Sequence, residues 1–198
     1  MLTQLLKQRC LMKKLLTLAA LVTMIHPGFA QPAKPTYAYY EGVNISMGMA
    51  QNTTKDVTNA TSLGTSVGQA KLNYTFALAY PAKLGLSATF DLRNSQINST
   101  ENLATSTPTE LTIEPGVLLL SNSLLYGKVG AYNTRYESGA SASRNLNGTA
   151  FGLGIKHYIY GQNFIQAEWT QRSAENNNAG STGKFKQSSA ALLIGFNF

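Results

Sequence analysis

The stretch Phe151–Ile159, FGLGIKHYI, puts Phe151, Leu153, Ile155, His157 and Ile159 on one parity and Gly152, Gly154, Lys156 and Tyr158 on the other. A period of two is the mark of an extended strand, whose successive side chains point to opposite faces. One face is large and apolar. The other is small, apart from a lysine and a tyrosine.

Seven more segments repeat the period. With Gly148–Tyr160, which contains the quoted stretch, they are roughly Tyr37–Gln51, Ser66–Tyr80, Ala82–Ser95, Thr109–Ser121, Ser123–Tyr136, Asn163–Ser173 and Lys184–Phe198. Pro115 cannot donate to a ladder and is expected to mark a bulge beside Gly116. The connections then decide the architecture. Pro81-Ala82, Ser121-Asn122-Ser123 and Gly161-Gln162-Asn163 are tight, whereas about 52–65, 96–108, 137–147 and 174–183 are long and rich in Asn, Ser, Thr and Gly. Long and short alternate strictly, as in an outer-membrane barrel with short periplasmic turns and longer external loops. Tyr37, Tyr39, Tyr40, Tyr80, Tyr126, Tyr158, Tyr160, Phe164, Phe196 and Phe198 gather at the short-turn end, as an interfacial aromatic girdle would. Phe90, Phe151 and Phe185 form a thinner second girdle.

The N-terminal region has its own pattern. Lys7, Arg9, Lys13 and Lys14 precede the apolar run Leu15–Ile25, and Gly28-Phe29-Ala30 then precedes Gln31. A basic region, a short apolar run and a small-residue exit are the parts of a secretory signal peptide. The run is too short to span a bilayer as a helix. The expected division is therefore a signal peptide over 1–30, cleaved between Ala30 and Gln31, and a barrel domain over 31–198, with Met12 an alternative start. Setting aside those four cations leaves 12 Lys and Arg against 9 Asp and Glu, scattered without a basic cluster, which gives no support for nucleic-acid binding. Cys10, the one cysteine, falls in the signal, so the exported chain has no disulfide and no thiol site.

Two exported classes fit the alternation: a soluble β protein with its apolar face inward, and a membrane barrel with that face outward. Charge separates them only in part. The large face carries no charge over its centre, and the small face carries Asp91, Arg93, Glu114, Lys128, Lys156, Glu168 and Arg172. Small residues with a few long charged ones suit the lumen of an eight-stranded barrel, which side chains just fill. Signal, loop alternation, girdle and the apolar terminal strand together favour the membrane barrel. The fold class expected is all-β, an eight-stranded antiparallel up-and-down transmembrane β-barrel. Its lumen charges are expected to pair, since an isolated buried charge costs several kcal/mol, with Glu168 meeting Lys156 or Arg172.

From Leu125 onward, the stretches LYGKVGAY (Leu125–Tyr132), FGLGIKHYI (Phe151–Ile159), QAEW (Gln166–Trp169) and LLIGFNF (Leu192–Phe198) resemble the eight-stranded outer-membrane barrel family, OmpA/OmpX-like and opacity-protein-like. The resemblance implies that these are the fifth to eighth strands with Lys and Glu in the lumen. It also implies that Leu192, Ile194, Phe196 and Phe198 belong to a C-terminal signal read by the barrel-assembly machinery. His157 is tested against the lipid A deacylases, where a Ser follows the His by two positions. Ile159 stands there, so the nucleophile is missing and His157 reads as an interfacial polar residue.

No catalytic residue, metal site or cofactor is expected. The expected role is that of a monomeric scaffold in the outer membrane of a Gram-negative bacterium, surrounded by outer-membrane lipid and lipopolysaccharide. It would display four external loops in adhesion or envelope integrity, with a host or envelope ligand at those loops. A narrow channel gated by the lumen charges is the first alternative, and an outer-membrane lipid-modifying enzyme the second.

Overall fold

The computed structural model describes residues 40–56, 62–98, 103–120, 122–138, 142–175 and 184–198. The predicted signal peptide, its Ala30–Gln31 junction, Tyr37 and Tyr39 lie outside these residues. The described strands are β1 (Gly42–Asp56), β2 (Ser62–Ala79), β3 (Ala82–Asp91), β4 (Ser95–Asn98), β5 (Leu103–Leu120), β6 (Ser123–Ser138), β7 (Ala142–Tyr160), β8 (Asn163–Glu175) and β9 (Lys184–Asn197). Every pairing is antiparallel, and consecutive strands pair except β3 with β4. β3 and β4 are two segments of one stave, since both pair with β5. The sheet closes where β1 meets β9, from Asn44 opposite Asn197 to Asp56 opposite Phe185. The result is a closed eight-stranded antiparallel barrel.

Exposure follows the sequence parity. Phe151, Leu153, Ile155, His157 and Ile159 are exposed, while Gly152, Gly154, Lys156 and Tyr158 are buried. The same holds around the ring, with Leu111 59 %, Leu153 60 % and Leu192 60 % exposed against Lys71 2 %, Lys128 3 % and Arg172 2 %. A water-soluble domain does not leave a continuous apolar wall of this extent outside and its charges inside. This wall is the lipid-facing surface of a transmembrane barrel.

The wall has an upper edge. Outward residues change from apolar to polar between Met49 and Gln51 on β1, Ala131 and Asn133 on β6, Phe151 and Thr149 on β7, Trp169 and Gln171 on β8, and Ala190 and Ser188 on β9. On β7 and β9 the apolar part runs over 151–159 and 190–198, close to the nine to eleven residues a tilted strand needs to cross hydrocarbon. Trp169 marks the edge, donating its indole N–H to Ser188 Oγ at 3.0 Å and meeting Phe151 edge to face. Beyond it, the hairpins β1/β2, β6/β7 and β8/β9 continue as paired strands.

Four expectations are corrected. The connections predicted as long are shorter, because the strands run on into them, so that β6 and β7 stay paired as far as Ser138 opposite Ala142. The predicted third strand breaks after Asp91 and resumes as β4. Pro115 makes no bulge: the register is continuous from Ile113 to Gly116, and it shifts instead between Ser106 and Thr109, around Pro108. Finally, Tyr40, Tyr126, Tyr158 and Phe164 turn inward, leaving Tyr80 at 81 % and Phe198 at 65 % exposure in the outer girdle, with Phe196 half-buried. Glycines opposite two of these aromatics explain the turn. Tyr126 pairs with Gly154 and Phe164 with Gly195, and each ring occupies the space that a Cβ on its glycine partner would need. A ring covering a cross-strand glycine restores the packing that the glycine lacks.

An arginine placed in the middle of the wall should report lipid directly. Leu153→Arg should lower the unfolding free energy in a bilayer by about 2–4 kcal/mol, and Thr149→Arg, beyond the edge on the same face, by no more than about 1 kcal/mol. Urea titration of both variants in lipid vesicles measures this, and equal costs would contradict the position of the edge.

Candidate functional site

Strand parity delivers the charged side chains to the interior, and the narrow lumen then brings them together across the barrel axis. Lys71 of β2 lies against Glu168 of β8 and, at 2.6 Å, against Glu114 of β5. Lys128 of β6 holds Glu168 at 3.1 Å and Glu110 of β5 at 2.7 Å. Arg172 of β8 takes the other oxygen of Glu110 through Nε at 2.9 Å, and Asp91 of β3 through a terminal nitrogen at 2.9 Å. Glu114, Lys71, Glu168, Lys128, Glu110, Arg172 and Asp91 thus form one chain of alternating sign.

Neutral groups complete it. Tyr126 donates to Glu168 at 2.5 Å and Gln166 donates to the same oxygen at 2.7 Å. Asn73 and Ser87 donate to Glu114 at 2.9 and 2.7 Å. Gln69 and Asn52 donate to Asp91 at 2.8 and 3.0 Å. Arg172 also donates to Gln187 Oε1 at 2.9 Å and lies over the Tyr132 ring. Lys156 stands at the side of the chain, donating to Asn44 Oδ1 at 3.3 Å and lying 4.6 Å from the centre of the Phe164 ring.

Of the predicted lumen residues, Asp91, Glu114, Lys128, Lys156, Glu168 and Arg172 are buried inside. Arg93 is not. It is exposed, because β3 ends at Asp91 and the chain bends over the next residues, resetting the alternation. The expected partners of Glu168 are also corrected: it meets Lys71 and Lys128, not Lys156 or Arg172. Neighbouring strands were the wrong guide in so narrow a tube, where a lysine on β2 reaches a carboxylate on β8. Lys71, Glu110 and Lys83 were missed as lumen charges. Parity alone finds them, since Lys71 shares a face with Asn73, Glu110 with Glu114, and Lys83 with Gly85.

The short-turn end of the lumen is closed by apolar and aromatic side chains. Tyr40, Leu118, Leu124, Tyr126, Tyr158 and Phe164 pack together there, with Tyr40 edge-on to Tyr158 at 4.6 Å. Beside them Lys83 pairs with Glu41 at 2.6 Å. At the loop end Tyr132, Leu146, Ala150 and Ala174 form a second apolar cluster. An arrangement of this kind can neutralise its charges and stiffen the wall. Its large side chains leave the charged groups nearly inaccessible to solvent.

His157 is exposed near the short turns and is tied to one of them, with Ser123 Oγ 2.9 Å from Nδ1 and Asn122 Nδ2 3.4 Å from Nε2. On the closing strand, Leu192 and Ile194 are exposed to the lipid side, and Phe196 and Phe198 stack edge to face. The Phe198 amide donates to Val43 O at 2.8 Å, fastening the end of β9 to the start of β1.

No protein-family model matches the chain, and no curated protein does. Solved structures do. Ail, the attachment invasion locus protein of Yersinia pestis, crystallised with the heparin analogue sucrose octasulfate, is 21 % identical with a TM-score of 0.56, over 80 % of this chain and 99 % of that one. Neisserial surface protein A is 9 % identical with a TM-score of 0.62, over 80 % of this chain and 98 % of its own. The chain therefore has the fold of the eight-stranded outer-membrane β-barrel proteins, as its terminal motifs imply.

Glu168 holds two ammonium groups and joins the two halves of the chain, so its loss leaves Lys71 with Glu114 alone and Lys128 with Glu110 alone. Glu168→Gln should cost about 3–5 kcal/mol of unfolding free energy, and adding Lys71→Met should recover part of it. Arg93→Gln, on the surface, should stay within about 0.5 kcal/mol. Denaturant titration of the three chains checks this, and a loss under about 1 kcal/mol for Glu168→Gln would contradict a network that depends on that carboxylate.

Proposed function

We propose that the chain is a surface-display scaffold in the outer membrane of a Gram-negative bacterium, acting in adhesion or envelope integrity. The observation that carries this reading is a sealed barrel whose hairpins continue as polar strands beyond the lipid-facing wall. Such hairpins carry the described strand ends beyond the hydrocarbon, and segments that connect strands on a rigid base are where binding residues are usually found. Ail, named for attachment and invasion, shares the fold, and its complex with a heparin analogue supports surface binding as a use of such a base.

In this reading residues 1–30 are a signal peptide cut between Ala30 and Gln31. The row Leu192, Ile194, Phe196 and Phe198 serves the barrel-assembly machinery, and the finished barrel is a monomer without enzymatic activity. The narrow-channel alternative needs a continuous water path, and the filled interior speaks against it. Among the described residues, Arg172, Tyr132, Phe164 and Gln166 are each no more than 2 % exposed.

Two measurements on cells and one on bilayers test the proposal. The protein should fractionate with the outer membrane and show heat-modifiable gel mobility. Replacing 57–61, 99–102, 139–141 and 176–183 with tight turns should abolish binding to host cells without altering that mobility. Purified barrel in a planar bilayer should give no steady conductance. Undiminished binding by the loop-shortened barrel would contradict the display role, and a conductance abolished by Glu168→Ala would favour the channel.

A further inference from the structure

Tyr40 and Glu41 come before the first rung of the sheet, which sets Gly42 opposite Thr75. They leave the wall because Gly42 has a φ of 107°, in the left-handed region that glycine enters without steric penalty. A Cβ at Gly42 would stand 2.5 Å from Phe198 O, so the approach of the closing strand requires glycine there as well. From this hinge the chain crosses the short-turn mouth. β1 lies between β2 and β9, yet Tyr40 packs with Leu118, Leu124, Tyr158 and Phe164 of β5, β6, β7 and β8, none of them a neighbour of β1.

Three contacts hold the crossing. The Tyr40 ring stands edge-on to Tyr158 at 4.6 Å. The Glu41 carboxylate takes Lys83 of β3 at 2.6 Å, and the Glu41 carbonyl accepts from Asn197 Nδ2 at 3.0 Å. The Tyr40 hydroxyl works against them, since it is buried and has no hydrogen-bond partner. Water would satisfy that hydroxyl, so burying it bare disfavours the closed arrangement, a penalty that phenylalanine would not carry. The Glu41 side chain is 42 % exposed, so water also competes for its ion pair. A glycine hinge, a half-exposed ion pair and an orphaned hydroxyl together describe a closure held by a small margin.

Behind the crossing the lumen is polar. Tyr158 donates to Asn44 Oδ1 at 3.1 Å, and Lys156 donates to the same atom at 3.3 Å. Among the described residues no carboxylate lies within ion-pair distance of that ammonium. An ammonium with one long hydrogen bond gains from water or a small anion at its side.

We propose that Tyr40–Gly42 is a hinged latch on the short-turn mouth, whose release admits water and small anions to Lys156 from that side alone. The charge chain from Glu114 to Asp91 stays in place behind it, so the open latch makes a vestibule and not a pore. Surface display needs only a sealed base, and the latch gives that base one movable part.

Thiol labelling of the purified full barrel in lipid vesicles tests the latch, with Cys10→Ser as the background. Thr75→Cys places a thiol on the inner face opposite Gly42, and Ser189→Cys places one on the inner face of β9 toward the loops, where the native residues are 3 % and 2 % exposed. The probe is the water-soluble anion 2-sulfonatoethyl methanethiosulfonate, and the readout is the rate of modification. Tyr40→Ala should speed modification at position 75 about tenfold or more, and Glu41→Gln by up to about fivefold. Tyr40→Phe should slow it about fivefold, because the orphaned hydroxyl is gone. Position 189 should keep its rate in all three, with heat-modifiable mobility intact. A rate at position 75 that is indifferent to Tyr40→Ala and Glu41→Gln would overturn the latch. So would equal acceleration at position 189, the sign of a barrel loosened as a whole. Modification no slower in Tyr40→Phe than in the parent would overturn the poise between closed and open.

Discussion

Hydrocarbon offers no water to an unpaired backbone amide, so a sheet that stands in lipid has to close on itself. In this protein closure is the pairing of β1 with β9, finished by the Phe198 amide on Val43. Much else follows from it. Closing eight staves makes a tube that side chains just fill, so inward positions are small or hold groups with partners across the axis. Below the polar edge the outward positions have only lipid to meet, and most of them are Leu, Ile, Val, Met, Ala and aromatic residues.

The alternating charge chain is the interior's answer to that confinement. A single carboxylate or ammonium inside would be costly, and buried pairs roughly break even against apolar packing. Seven groups joined end to end, with Gln, Asn, Ser and Tyr donors around them, leave each charge compensated. The large aromatic residues do the same work for volume, Tyr126 and Phe164 covering glycines at the short-turn end. The interior is thereby a packed core made of polar parts, which suits a scaffold better than a conduit.

Most of the fold was legible because parity is a strong signal. FGLGIKHYI and LLIGFNF state their two faces residue by residue, and the three tight turns fall where Pro, Asn and Gly put them. Parity could not say where a strand ends, and the misreadings gather there. Arg93 keeps the parity of Asp91 on paper, but the strand stops between them. The polar residues at the hairpin tops read as loops because Asn, Ser and Thr are shared by loops and by strands outside the membrane. Partner choice in the lumen was invisible for another reason. It depends on distances across the axis, which set Lys71 against Glu168 although their strands are not neighbours. The inward aromatics were open to detection, since their parity matched that of the small face; their position near the turns suggested a girdle instead.

The central claim is that one parity faces lipid and the other a closed interior. Spin labels placed singly along Phe151–Ile159 in a bilayer, with collision rates to oxygen and to a water-soluble nickel chelate, test it most directly. The account predicts high oxygen and low nickel collision rates at 151, 153, 155, 157 and 159, with both low at 152, 154, 156 and 158. The opposite phase, or nickel access at the even positions, would contradict it.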